Sequence, residues 1–163
     1  PSKSRGLGDV YKRQTKRDPD NFLLGRCSLF YDWDKSYTDE AGKLVVPRRQ
    51  PPIKEKNFTY LCSAFKGTQF EEVFNILNSK YKVGRIRIMN SQPKTCLSWH
   101  KDDSTRIHYP MKTQDGCLMV IEDEVKHLEK NTWYHTNTTV KHTAMNASKE
   151  QRLHLVACVL EEA

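Results

Sequence analysis

Apolar and polar residues alternate along this chain with two different periods. Between Thr68 and Gly84 the period is helical. Phe70, Val73, Phe74 and Leu77 fall at i, i+3, i+4 and i+7, which predicts one amphipathic helix. Thr68 and Glu71 open it as a T-x-x-E capping box, and Gly84 is expected to end the connection that follows. Such a helix packs on a sheet and does no chemistry. From residue 85 onward the period drops to two. In "RIRIMN", Ile86 and Ile88 share one face and Arg85 and Arg87 the other. "TRIHYP", "CLMVIED", "TWYHT" and "RLHLVACVL" follow as short strands separated by polar, turn-forming stretches. Short strands after one helix, without strand–helix alternation, predict an antiparallel double sheet or barrel, most naturally a jelly roll.

The first third is less regular. Residues 15–22 read as a polar arm, and "FLLGRCSLFYDW" as a segment entering the sheet. Residues 34–57 are polar and hold three prolines and one glycine, Gly42. They predict a long excursion, a short hairpin and then an irregular loop, of the kind that can cover a substrate. Neither residues 34–60 nor 123–131 carry a motif with readable chemistry. With 163 residues the chain can build one domain core and not two. The opening "GLGDVYKRQ" resembles translated adapter sequence. Residues 1–14 are therefore set aside as non-native, leaving a single domain over 15–163.

Composition changes this picture only at the margins. The net charge of +7 suggests nucleic acid until it is located. Residues 1–17 hold six Lys/Arg and one Asp, so most of the excess lies in the opening segment, and nucleic acid is not the expected partner. Cys27, Cys62, Cys96, Cys117 and Cys158 are odd in number and form no CxxC, against a disulfide framework or zinc ribbon. Cys62, Cys117 and Cys158 sit in apolar runs and read as buried free thiols. No apolar run reaches the roughly 20 residues that span a bilayer, and the start lacks a signal-peptide core, so a cytoplasmic location without membrane contact is the expectation.

The chemistry concentrates in "SWHKDDSTRIHYPM". His100 and Asp102, two apart on an extended segment, point to the same side and can bind one metal together. A third ligand must come from elsewhere, and His142 in "VKHTAMN" is the candidate. Two histidines and a carboxylate on one face leave positions open, the ligand set of non-haem Fe(II) oxygenases. Open positions call for a co-substrate. Arg152, in the strand after His142, can grip a carboxylate with its bidentate fork. Arg106 and His108, again two apart, place a second cation and an imidazole on one side of their strand. Each residue alone reads more simply as a surface or hydrogen-bonded group; only the joint order and spacing points to a site.

Together, "WHKDDSTRIHYPMKTQDGCLMV" and "WYHTNTTVKHTAMNASKEQRLHLVA" resemble the aspartyl/asparaginyl β-hydroxylase family of Fe(II)- and 2-oxoglutarate-dependent oxygenases. The likeness covers about residues 67–160. It includes H-x-D, the R-x-H-x-P run Arg106–His108–Pro110, Cys117, the H-x-x-x-N pair His142 and Asn146, and Arg152. It implies a double-stranded β-helix, the cupin-like jelly roll, mainly β with a flanking helix. It also implies iron held by His100, Asp102 and His142. Arg152 would hold the distal carboxylate of 2-oxoglutarate, with Arg106 and His108 contacting the co-substrate near the metal. The implied reaction consumes O2 and 2-oxoglutarate, releases succinate and CO2, and hydroxylates an amino-acid side chain, of peptidyl Asp or Asn or of a free amino acid such as proline. The same chemistry on a nucleobase or small metabolite, or a non-catalytic jelly-roll metal protein, are the alternatives.

The sequence departs from the family pattern at five positions. Pro93-Lys94 replaces Pro-Gly, Asn131 stands at a usual glycine, and Thr138-Thr139 replaces an acidic pair. The polar residue that assists the distal arginine falls by counting at Met89, with Asn90 and Ser91 beside it. Of the remaining groups, Asp103 reads as solvated and His135 as packing or pocket-lining. His154 reads as either pocket or core, and Trp99 and Trp133 read as core.

Overall fold

A computed structural model describes residues 30–32 and 35–162. The expectations for residues 1–29, including the polar arm, Cys27 and most of the entering segment, lie outside the described residues.

The excursion contains the expected hairpin, β1 (Tyr37–Thr38) with β2 (Leu44–Val45). Gly42 turns it at φ 74°. Two single 3-10 turns follow, Glu55–Asn57 and Ser63–Phe65. The helix α1 spans Gln69–Lys80. Thr68 caps it by accepting from the Phe70 N–H, while Glu71 reaches one residue further back, to the N–H of Gly67. Both orphan donors are thereby satisfied, in a shifted form of the predicted box.

No connection follows the helix. Tyr81 is already extended, and β3 runs Tyr81–Ser91 with Gly84 inside it. The expectation that Gly84 ends a connection is thus corrected. Its role is a close approach: a Cβ there would lie 2.9 Å from the backbone oxygen of Glu55.

The remaining strands are β4 (Thr95–Cys96), β5 (Thr105–Lys112), β6 (Cys117–Ile121), β7 (Glu124–His127), β8 (Tyr134–Thr136), β9 (His142–Asn146) and β10 (Arg152–Glu162). They form two antiparallel four-stranded sheets, ordered β3-β10-β5-β8 and β4-β9-β6-β7. Successive strands alternate between the sheets except where β6 turns directly into β7. This is jelly-roll connectivity, and the described residues are mainly β with one flanking helix. The two-residue strand β4, and β7 beyond the Glu122 turn, had no clear signal in the pattern. No helix among the described residues is long and apolar enough to cross a membrane.

The apolar core lies outside the barrel, between α1 and the first sheet. Leu77, Val83, Ile107, Leu155, Ala157 and Val159 are buried there, with Phe70, Val73 and Ile86 against them. The opposite face of that sheet looks inward. Cross-strand pairing puts Arg87, Val156 and His108 on one rung, Met89, His154 and Pro110 on the next, and Ser91 beside Arg152. The isoleucines of "RIRIMN" therefore face the helix and its arginines face the barrel interior. Cys62, Cys117 and Cys158 are buried free thiols as expected. Trp99 and Trp133 are not core residues: they are 50% and 47% exposed. Trp99 carries the Lys141 ammonium over its ring and Trp133 packs against Tyr109.

Candidate metal centre

His100 and His142 approach through the backbone. Just past β4, His100 exchanges both N–H···O bonds with His142, at 3.0 and 2.9 Å. Directly paired residues present their side chains to the same face, and the two rings sit 4.3 Å apart. Two residues on, Asp102 donates its N–H to the Thr138 carbonyl, which pins the segment to the turn before β9. The ligand atoms of His100, Asp102 and His142 lie within 4.8 Å of one another. Nε2 of His142 is 3.6 Å from Asp102 Oδ2, and Nε2 of His100 is 3.9 Å from Oδ1.

Each histidine is oriented by its other nitrogen. Nδ1 of His100 lies 2.7 Å from the Ser98 carbonyl and Nδ1 of His142 lies 3.0 Å from that of Val140. A carbonyl only accepts, so both Nδ1 atoms carry the proton, and both Nε2 lone pairs face the cluster. That is how metal-ligating histidines are held. A metal about 2.1 Å from each donor needs donors about 3 Å apart. The observed spacings need only a small inward movement of side chains, so the donor set fits a divalent ion. His142 is buried, while His100 and Asp102 are half-buried, so the cluster is open on one side.

Beyond the cluster the barrel interior is polar and basic. His108 and His154 face each other, ring centroids 5.8 Å apart. None of their four ring nitrogens has a hydrogen-bond partner among the described residues, although all are buried. Burial first, then the neighbouring guanidinium of Arg152, depresses both pKa values, to about 3 for His108 and about 2 for His154. Both rings are therefore neutral at ordinary pH. Arg152 donates to Ser91 Oγ at 3.2 Å. Ser91, rather than Met89, is thus the polar partner of Arg152, because the two pair directly across β3 and β10. Buried polar atoms require partners. Unmatched imidazoles beside buried guanidinium groups suit a small anionic guest such as a dicarboxylate.

Arg106 sits differently. Its guanidinium is held by protein groups: the carbonyl and hydroxyl of Ser104, the Thr105 carbonyl, Glu55 at 2.8 Å and Asp102 at 3.2 Å. Glu55 is gripped on its other oxygen by Arg85, also at 2.8 Å. Although burial raises the Glu55 pKa, Arg106, Arg85 and a hydrogen bond from Cys158 outweigh it, and the net shift is downward. Nothing in the polar excursion distinguishes Glu55 in the sequence.

Other singled-out residues lie off the cluster. Asp103 is exposed, and exposed His135 meets the Thr105 hydroxyl at 2.8 Å. Asn146 is buried and ties its sheet to the Ser91 and Glu150 carbonyls. Thr138, at a usually acidic position, bonds the Ser104 carbonyl. Lys94 and Asn131, at the two usual glycines, both take left-handed backbone, φ 55° and 61°. Between the edge strands β7 and β8 a mouth pocket opens, lined by Ile121, Glu124, Lys126, Thr136 and Asn137 among others. Ile121 pairs directly with His142, so the mouth begins one strand from the cluster.

The aspartyl/asparaginyl beta-hydroxylase profile matches residues 24–161. Solved structures similar to this chain include a 2OG-Fe(II) oxygenase family oxidoreductase from Burkholderia pseudomallei. It is 16% identical over 54% of this chain and 56% of that one, with a TM-score of 0.48. A cupin domain from Bordetella pertussis is 18% identical over 46% of this chain and 79% of that one, with a TM-score of 0.40. A predicted oxalate decarboxylase from Thermotoga maritima is 14% identical over 53% and 72%, at 0.42. A search of curated proteins gives no match.

Proposed function

The chain belongs to the aspartyl/asparaginyl beta-hydroxylase family, and from that premise we propose that it is an Fe(II)- and 2-oxoglutarate-dependent dioxygenase that hydroxylates an amino-acid side chain. The substrate would be a peptidyl Asp or Asn or a free amino acid such as proline. The observation that carries this reading is the convergence of His100, Asp102 and His142 within 4.8 Å, with both imidazoles turned Nε2-inward by carbonyls.

Bound iron and 2-oxoglutarate would supply the activation of O2 and the oxidative decarboxylation to succinate and CO2. The protein's own residues do the rest. The Ser98 and Val140 carbonyls hold the histidine tautomers, and the His100–His142 bridge fixes their spacing. Arg152, steadied by Ser91, offers the co-substrate's distal carboxylate a charge-assisted fork deep in the barrel. The neutral rings of His108 and His154 offer hydrogen bonds without adding charge. Substrate would enter at the mouth between β7 and β8, where Glu124 and Lys126 present opposite charges.

Anaerobic addition of Fe(II) and 2-oxoglutarate to the purified protein tests this. The expected result is a visible charge-transfer band, lost in His142→Ala and weakened in Arg152→Ala. Folded wild-type protein that takes up iron and gives no band with 2-oxoglutarate would rule the oxygenase reading out. With a band in hand, succinate formation in the presence of Asp-, Asn- or Pro-containing candidates identifies the substrate.

A further inference from the structure

A chain of alternating charge links the excursion to the metal cluster: Arg85, Glu55 and Arg106, all buried, and half-buried Asp102. Its contacts are 2.8, 2.8 and 3.2 Å. Arg85, Arg106 and Glu55 are 4%, 3% and 8% exposed. Three features fix Glu55 in place. It lies in the 3-10 turn Glu55–Asn57, its carbonyl rests on the bare Cα of Gly84, and the Phe58 ring nearby lies under Arg85. Arg106 is as tightly set, with Nη1 bound to Ser104 and Thr105, and the Ser104 carbonyl also taken by Thr138. Only one nitrogen, Nη2, faces both carboxylates.

We propose that Glu55 is a positioning residue for the metal ligand Asp102, acting through Arg106. A guanidinium with a single carboxylate beside it frequently closes on that carboxylate as a bidentate pair. Paired in that way, Asp102 would be a poor ligand, because its lone pairs would face Arg106. Glu55 shares the Arg106 charge and holds Nη2 between the two acids, so Arg106 turns the Asp102 carboxylate without capturing it. The excursion, which has no readable motif in the sequence, thus contributes a buried acid to the metal centre. The inference rests on the metal-binding part of the reading above, not on the oxygenase chemistry.

Co(II) titration followed by its visible ligand-field bands tests it without turnover. Wild-type protein should bind Co(II), and His142→Ala should not. Glu55→Gln should weaken Co(II) binding by roughly 10- to 100-fold, the range for residues behind a metal ligand. Glu55→Asp, which keeps the charge on a shorter arm, should recover part of the loss. Asp32→Asn breaks a different ion pair, the one that ties Arg49 of the excursion to Asp32 just before it at 2.9 Å, and should leave Co(II) affinity unchanged. In an Asp102→Ala background Glu55→Gln should cost nothing further, since coupled residues are non-additive. Should Glu55→Gln fail to fold, Glu55→Asp carries the test alone through its weaker affinity.

Wild-type affinity in Glu55→Gln, or an equal loss in Asp32→Asn, overturns the inference and leaves the oxygenase reading intact. Co(II) binding with the predicted Glu55 effect, but no 2-oxoglutarate band, overturns the oxygenase reading alone. A wild type that binds no Co(II) overturns both.

Discussion

Arg106 and Arg152 are the same residue type on neighbouring strands, and their surroundings give them different work. Arg106 is held on both terminal nitrogens by carboxylates, carbonyls and a hydroxyl, whereas Arg152 lies beside neutral imidazoles and donates to the Ser91 hydroxyl. Arg152→Lys keeps the charge and removes the planar fork. It should raise the 2-oxoglutarate Kd by about tenfold or more, as one hydrogen bond to a charged group is worth roughly 1.5–3 kcal/mol. Co(II) affinity should not move. Ser91→Ala should give a smaller rise, about fivefold. Isothermal titration with 2-oxoglutarate reads both, and an unchanged Kd in Arg152→Lys would remove Arg152 from the co-substrate site. Much of this was legible in the sequence, because H-x-D and R-x-H fix two side chains on one face by strand geometry alone. The order in which buried groups pair was not legible. Ser91 rather than Met89 meets Arg152 because the register of β3 against β10 decides it, and Glu55 reaches Arg106 only through tertiary packing.

At the level of elements, the turns explain how the chain tolerates two missing glycines. Lys94 opens the way into β4 and Asn131 precedes β8, both in left-handed backbone. Left-handed backbone costs an ordinary residue about 1–2 kcal/mol, less for Asn, whose side chain bonds locally. Glycine removes that strain but costs the unfolded chain's entropy, about 0.5–1 kcal/mol. Lys94→Gly should therefore stabilise the protein by roughly 0.5 kcal/mol, and Asn131→Gly by nothing measurable. Urea denaturation compares them, and a larger gain at Asn131 would contradict the strain argument. The helix was readable because four apolar residues at helical spacing admit no other regular structure. Two-residue β4 was not, since so short a strand has no period to detect. The alternation in "RIRIMN" was visible, but period alone cannot say which face is inside. The polarity follows from packing: the apolar face of the sheet is taken up by α1, which leaves the polar face to line the barrel.

For the whole molecule, the basic interior has a consequence for acid stability. His108 and His154 titrate near 6.5 when unfolded and near 3 and 2 when folded. Their folded pKa values are depressed, so the stabilisation they contribute is complete above about pH 6.5 and is lost progressively as pH falls toward 3. In that window the unfolded chain binds up to two protons that the native state refuses. Each proton is worth about 1.4 kcal/mol per pH unit. The thermal midpoint should fall steeply between pH 6 and pH 4.5, and His154→Asn should flatten the slope by about half. A pH-independent midpoint across that range would contradict the burial of these rings. Below about pH 4.5 the ion-paired Glu55 adds its own loss, because its depressed pKa marks stability present above the unfolded value and removed by protonation. A bound dianion in the interior would pair with the guanidinium groups that depress the two histidines, and so would soften this acid sensitivity.

The His100–His142 bridge carries one more implication. Two peptide units from distant parts of the chain are latched to each other by a pair of backbone hydrogen bonds. In small zinc modules the ion itself closes the loop, and stripping it unravels the chain. Here the paired backbones of His100 and His142 close a loop of the same kind by hydrogen bonds of their own, so the closure does not rest on side-chain ligands alone. An ion bound there would join two rings whose backbones are already hinged together, so chelation should slacken the side chains while the thermal midpoint falls only modestly.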